Sequence, residues 1–228
     1  MDLNILLGEL LGLTVFVVVH GGILASMVLS GKAKEGIAAL AVFLGISFGV
    51  FAAIAGGSTG AHINPAVTMA VLSSGGIDAL EAVTYLIGQL LGGFLGGLIL
   101  WVIYRPQFKA STNALAPLTG NPDPKDVVQN TITSLLGSFL LALLVLITVN
   151  LTVDTGLTPL AVGAAVLAAA LAVGGTAYSV LNVARDLGPR LTATVLGLGK
   201  PTWLPVLLLT IASLVGGLLA GAVVTLLG

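Results

Sequence analysis

Long apolar runs separated by short polar breaks dominate the chain, and at about 20 apolar residues per bilayer crossing they predict six spans. The first runs from about Leu3 to Leu29 and stops at Ser30-Gly31-Lys32-Ala33-Lys34, the second from about Gly36 to Ala55, and the third from about Leu80 to Tyr104. A fourth covers about Val127 to Thr148, followed by a loop from Asn150 to Thr158. A fifth covers Pro159 to about Gly174, and a sixth follows the loop Gly197 to Pro201 and reaches Leu227. Met1-Asp2-Leu3-Asn4 has no basic n-region, so the first run reads as a span and not as a cleaved signal.

Two further stretches are only half a span long. Pro65 to Leu72 follows an extended, Gly-rich approach from Gly56 to Ile63 and ends at Ser73 to Gly76; Val183 to Val195 follows Gly175 to Leu181. Asn64-Pro65 is a helix-start signal, because Asn caps free backbone N–H groups and Pro has the first-turn φ with no N–H to satisfy. Asn182-Val183 repeats the cap without the proline. A helix that starts at membrane depth leaves its positive end and its free N–H groups inside, which is tolerable only against other protein or a cavity.

The halves echo each other. GELLG at 8–12 recurs as TSLLG at 133–137, QLLGGFLGG at 89–97 as SLVGGLLAG at 213–221, and Asn64-Pro65-Ala66 as Asn182-Val183-Ala184. Three spans and one half-helix per repeat force the second repeat to enter the membrane upside down, an inverted repeat whose half-helix N-termini meet near the midplane. The chain therefore reads as one transmembrane channel domain: repeat one at 1–104, a connecting loop at 105–126 with four of the nine prolines, and repeat two at 127–228. Glycines at GxxxG spacing (Gly88/Gly92, Gly92/Gly96, Gly93/Gly97, Gly217/Gly221) suit close helix crossing.

Composition narrows the class. Of 228 residues, 57% are hydrophobic and 7% charged, with a mean hydropathy of +1.15, against roughly 25% charged in soluble domains. The expected fold is an all-α membrane protein with six transmembrane helices and two re-entrant half-helices. A net charge of −1 without a basic cluster leaves nothing for nucleic acid. The absence of cysteine excludes disulfides, thiol nucleophiles and Cys-ligated metal. Opposed helix N-termini with two Asn side chains make a positive centre that welcomes acceptor oxygens and repels cations. Arg185 adds a full charge that must face water or a polar lining. The implied cargo is small, polar and uncharged.

GAHINPAVT at 60–68 and NVARDLGPR at 182–190 resemble the two signature loops of the aquaporin and glycerol-facilitator family, and the resemblance spans essentially the whole chain, including Glu9 and Gln89. Asp186 after Arg185 resembles the glycerol-facilitator branch. By that resemblance Asn64 and Asn182, with Pro65 and Val183 behind them, form the pore midplane. Arg185 belongs to an outer selectivity constriction whose other positions fall on Leu44, Ala170 and Ser179. His62 packs behind the first loop, and Glu9, with Gln89 nearby, supports its backbone. The family implies a homotetramer with one pore per subunit in a cell membrane, plasma or inner, with no cofactor and no catalytic or metal site.

The chain departs from the family in four places. Leu44 and Ser179 stand where glycerol facilitators have aromatics, which implies a wider mouth unless Tyr178 is shifted in. Val183 replaces a proline. Ser134 replaces the second-half counterpart of Glu9, so the second loop lacks its carboxylate. All eight Lys and Arg residues (32, 34, 105, 109, 125, 185, 190, 200) fall on the side the family topology makes extracellular, whereas Asp2, Asp78, Glu81 and Asp154 fall on the other, opposing the positive-inside rule. Inverted insertion, or a redesigned chain whose charges were not shaped by insertion, accounts for this.

Other patterns read as structural. Gly56-x-Ser58-x-Gly60 matches a nucleophile elbow, but lacks the strand-to-helix turn. His20 reads either as a packed, hydrogen-bonded histidine or as a pore gate. Two distant histidines make no metal site, and Asn150-Leu151-Thr152 is a chance glycosylation sequon. The leading expectation is a passive, non-enzymatic channel for water, glycerol, similar polyols and urea. A non-conducting scaffold and a secondary transporter are the alternatives.

Overall fold

The computed structural model describes residues 1–29, 37–110, 126–152, 156–174, 181–198 and 202–227. Among them are nine helices: α1 (Leu3–Leu29), α2 (Ile37–Thr59), α3 (Pro65–Ser73), α4 (Ala79–Ile103), α5 (Arg105–Ala110), α6 (Val127–Thr152), α7 (Thr158–Gly174), α8 (Val183–Val195) and α9 (Trp203–Leu227). The six-span expectation with two half-helices holds. α1, α4, α6 and α9 are long and apolar enough to cross a bilayer, α2 and α7 complete the set, and α3 and α8 are the half-helices.

Three helix boundaries differ from the sequence reading. α2 continues through Gly56-Gly57-Ser58 to Thr59, where an extended approach was expected. Away from water the backbone keeps its internal hydrogen bonds, so the roughly 1 kcal/mol glycine penalty is outweighed. α6 runs on to Thr152, whose hydroxyl donates to the Thr148 carbonyl at 2.7 Å, so the sequon lies on a helix and not in a loop. The connecting segment opens as α5, with Pro106 in its first turn and Phe108, 3% exposed, packed into the core.

Helix pairing repeats between the halves. α1 packs on α4 as α6 packs on α9, α1 on α2 as α6 on α7, and α8 on α4 as α3 on α9; α2 and α7 join the halves. Adjacent glycines make this possible by serving two neighbours at once. On α4, a Cβ at Gly92 or Gly96 would strike α1, whereas one at Gly93 would overlap the Ala184 carbonyl of α8. On α9, a Cβ at Gly216 would strike the Leu135 carbonyl of α6 and one at Gly217 the Ala66 carbonyl of α3. At the α2–α7 crossing a Cβ at Gly45 would come within 2.6 Å of the Gly163 carbonyl, and one at Gly163 within 2.7 Å of the Gly45 carbonyl.

Polar groups within the spans are satisfied locally. Hydroxyls of Thr14, Ser47, Thr84, Thr131, Thr210 and Thr225 donate to the carbonyl four residues back. α4 starts with a reciprocal capping box, Asp78 accepting from the Glu81 N–H at 2.8 Å and Glu81 from the Asp78 N–H at 3.0 Å. Large apolar side chains cover the outside, as on α1 at Leu3, Leu7, Leu11, Val15 and Val19.

Because the clashing atoms at Gly93 and Gly217 are backbone, no rotamer change can make room. Gly93→Leu or Gly217→Leu is expected to abolish the monodisperse peak in detergent size-exclusion chromatography, whereas Leu95→Ala, on the exposed face of α4, is expected to leave it. A normal elution profile for both glycine variants would refute the packing.

Candidate functional site: two opposed half-helices

α3 begins at Pro65 with Asn64 as its cap (φ −153°, ψ 121°), the Asn64 Oδ1 accepting the Ala66 N–H at 2.9 Å. α8 begins at Val183 with Asn182 as its cap (φ −139°, ψ 102°), the Asn182 Oδ1 accepting the Arg185 N–H at 3.1 Å. Each amide also reaches across the repeat boundary. Asn64 Nδ2 donates to the Leu181 carbonyl at 2.8 Å, and Asn182 Nδ2 donates to the Ile63 carbonyl at 2.7 Å. Each cap thus holds its own helix by its oxygen and the residue before the opposite cap by its nitrogen. Exposure is 1% at Asn64 and 9% at Asn182, so any passage here is narrow.

The approach to Asn64 is strained and braced. Ala61 and Ile63 lie at φ 48° and 51°, a region a β-branched residue avoids, and Gly60 lies at 77°. Strain of this kind costs roughly 1–3 kcal/mol per residue and persists only where the surroundings over-determine it. Glu9 of α1 supplies that restraint. Its Oε1 accepts the His62 N–H at 3.0 Å, and its Oε2 accepts the Ile63 N–H at 2.7 Å and the Gln89 Nε2 of α4 at 2.7 Å. Gln89 Nε2 also donates to Thr68 Oγ1 at 3.0 Å, His62 Nδ1 lies 3.2 Å from the same hydroxyl, and the His62 ring stacks on Tyr85 at 4.0 Å.

Thr68 and Tyr85 were not singled out by the sequence reading. The signal available for both is helical spacing: Thr68 lies one turn after Asn64, and Tyr85 one turn before Gln89.

The second approach is built differently. Ser134 occupies the position matching Glu9 and is fully buried, and one turn further on α6 the Ser138 hydroxyl meets that of Ser213, the counterpart of Gln89, at 2.6 Å. Asp186 forms a two-point ion pair with Arg190 on α8, Nε to Oδ2 at 2.7 Å and Nη2 to Oδ1 at 3.1 Å, both side chains buried. Thr192, fully buried, ties α8 to α4 through the Phe94 carbonyl at 2.8 Å.

Of the constriction positions, Leu44 is half-buried on α2, Ala170 is buried on α7 and Arg185 is half-buried on α8. Ser179 and Tyr178 lie outside the described residues, as do the other residues at 175–180. On the side of the α3 C-terminus a cavity of about 900 Å³ reaches inward from Ser74 and Asn150, past Phe48 and Val67, to Ala61 and His62.

The pattern of the family described as "Major intrinsic protein" matches residues 2–224. The glycerol uptake facilitator protein of Streptococcus pneumoniae (strain ATCC BAA-255 / R6) is 32% identical over 216 residues, covering 90% of this chain and 92% of that protein. The probable glycerol uptake facilitator protein of Thermotoga maritima is 30% identical over 234 residues, covering 96% and 97%. The X-ray structure of the aquaglyceroporin from Plasmodium falciparum superposes with a TM-score of 0.84 at 22% identity, covering 96% of this chain and 93% of that one.

Thermal unfolding in detergent measures both braces. Glu9→Ala leaves two buried N–H groups unpaired, at about 1–3 kcal/mol each, and is expected to lower the melting temperature clearly, with Glu9→Gln intermediate. Val183→Pro is expected to raise it by the equivalent of roughly 0.4–1 kcal/mol, because Asn182 already has the extended backbone that a following proline requires. Unchanged melting in Glu9→Ala would dismiss the brace.

Proposed function

The chain belongs to the major intrinsic protein family, and we propose that it is a passive channel for small uncharged solutes, carrying water and short polyols such as glycerol and excluding protons and ions. It is a multi-pass integral membrane protein, and the solute leaves chemically unchanged. The observation that carries this reading is the reciprocal asparagine pair at the meeting of two half-helix N-termini.

Each N-terminus carries the equivalent of about +0.5 charge, and both point inward beside amide donors. A cation meets this field with its hydration shell removed and is repelled, whereas an oxygen bearing lone pairs is attracted. Water held at the centre turns its oxygen to the asparagines and its hydrogens away to both sides, interrupting the hydrogen-bonded file along which a proton would hop. The 900 Å³ cavity serves as one vestibule. The carbonyls approaching Asn64 are, in this reading, the acceptors that replace lost water. In this reading Arg185, with Leu44, Ala170 and the Ser179 position, forms the outer constriction. Its small side chains give a wide mouth suited to polyols, in keeping with relatives named glycerol uptake facilitators.

Stopped-flow light scattering on proteoliposomes is expected to show fast shrinkage in sucrose and fast re-swelling in glycerol and urea. Rates equal to those of empty liposomes would reject the channel. Arg185→Val is expected to increase proton or cation leakage; unchanged proton flux would remove Arg185 from that role.

The assembly that fits the family is a homotetramer with one pore per subunit, and the apolar stripe from Leu3 to Val19 on α1 is available for it. Cross-linking in native membranes is expected to give a ladder ending at four copies, and a ladder ending at two would exclude it.

A further inference from the structure

The two histidines are held very differently. His62 is fixed by Thr68 and Tyr85. His20, on α1, is packed at 6% exposure, as one of the two sequence readings expected, but its Nδ1 has no hydrogen-bond partner. An unpaired ring nitrogen in a membrane interior is costly unless something that passes can satisfy it.

The fold gives the position of this ring. His20 lies eleven residues beyond Glu9, about three helical turns, so both project from the same face of α1 toward the half-helices, roughly 16 Å apart. One turn before His20, Phe16 stacks its ring on the imidazole (centroids 5.7 Å, planes 7° apart) and meets Phe48 of α2 edge-on at 5.7 Å. Phe16 also meets Phe51 edge-on at 6.5 Å, and successive spans are antiparallel, so one turn past Phe16 on α1 places His20 level with the turn from Leu44 to Ser47 of α2. The opposite side of α1 is taken by α4: Thr14 donates to the Gly92 carbonyl, and a Cβ at Gly21 would meet Leu100. α8, the half-helix that carries Arg185, also packs against α1.

We propose that His20 is a specificity-determining residue of the outer constriction, its ring supplying the flat wall and the polar edge that Leu44 does not. The inference rests on the constriction assigned above. Phe16 supports one face of the ring and no hydrogen bond fixes its Nδ1 edge, so a half-turn about the Cβ–Cγ bond exchanges its two edges. A solute hydroxyl beside Arg185 can then pair with a ring nitrogen while its carbon chain lies against Leu44.

The chain has no cysteine, so His20→Cys carries a single thiol. Methyl methanethiosulfonate is expected to modify this thiol and cut glycerol flux in proteoliposomes several-fold, with excess glycerol slowing the modification. Thr14→Cys, turned toward α4, is expected to be unaffected. His20→Ala is expected to raise the flux of a five-carbon polyol relative to glycerol by about tenfold, the scale on which one or two carbons are discriminated in apolar sites. His20→Phe keeps the wall without the nitrogens and is expected to lower glycerol flux relative to water. A modified thiol without flux loss, or unchanged solute ratios in both folded variants, would overturn the inference while leaving the channel reading intact. If the parent protein conducts nothing, the channel reading fails. The inference, which rests on that reading, falls with it.

Discussion

The structure depends on satisfying backbone polar groups where no water is available to do so. A half-helix beginning in mid-membrane exposes up to four N–H groups, and the carbonyl side of the loop leading into it is equally bare. The crossed asparagines meet both demands at one place. Each side chain takes an N–H of its own helix by its oxygen and the carbonyl before the opposite cap by its nitrogen. The two repeats are thereby joined through hydrogen bonds that neither could make alone, and the donors are concentrated where the macrodipoles converge. The field that would select solutes follows from the same geometry that makes the fold possible.

The two halves reach this arrangement with different supports. In the first, a carboxylate holds two consecutive N–H groups and so stabilises a loop with two non-glycine residues at positive φ. In the second, serines stand where Glu9 and Gln89 stand in the first, and a buried ion pair lies within the half-helix itself. Breaking a buried pair by removing one partner is strongly destabilising, because the other charge is left uncompensated. Both half-helices are tied by a hydroxyl to the long helix beside them, Thr192 of α8 to the Phe94 carbonyl and Ser73 of α3 to the Leu218 carbonyl, but only the first has its approach loop braced by a carboxylate.

Much of this was legible because membrane depth makes punctuation conspicuous. A cap signal in the middle of an apolar region has few alternative explanations, and the ranges Leu3–Leu29 and Val183–Val195 were reached from the pattern alone. Less legible were features decided by tertiary context. Gly56-Gly57-Ser58 reads as a breaker in water and stays helical here, since nothing competes for its backbone bonds. Nothing in the residue types of Ala61 or Ile63 announces a positive φ; only Glu9, more than fifty positions away, explains it. His20 reads from sequence either as a packed histidine or as a pore gate, and only the contacts of Phe16 with the ring and with Phe48 give its level between α1 and α2.

The unusual charge distribution also has a local reading. Asp78 and Glu81 cap the N-terminus of α4. Arg105 lies just beyond the other end of that helix, its guanidinium 5.1 Å from the Trp101 ring, whose face favours a cation. Arg190 is buried against Asp186. None of these is a free loop charge of the kind the positive-inside rule counts. Local chemistry alone puts acids on one face of α4 and a base on the other, whichever way the chain inserts. Setting Arg105 and Arg190 aside leaves Arg185 and the lysines at 32, 34, 109, 125 and 200, so the imbalance falls from eight against none to six against none.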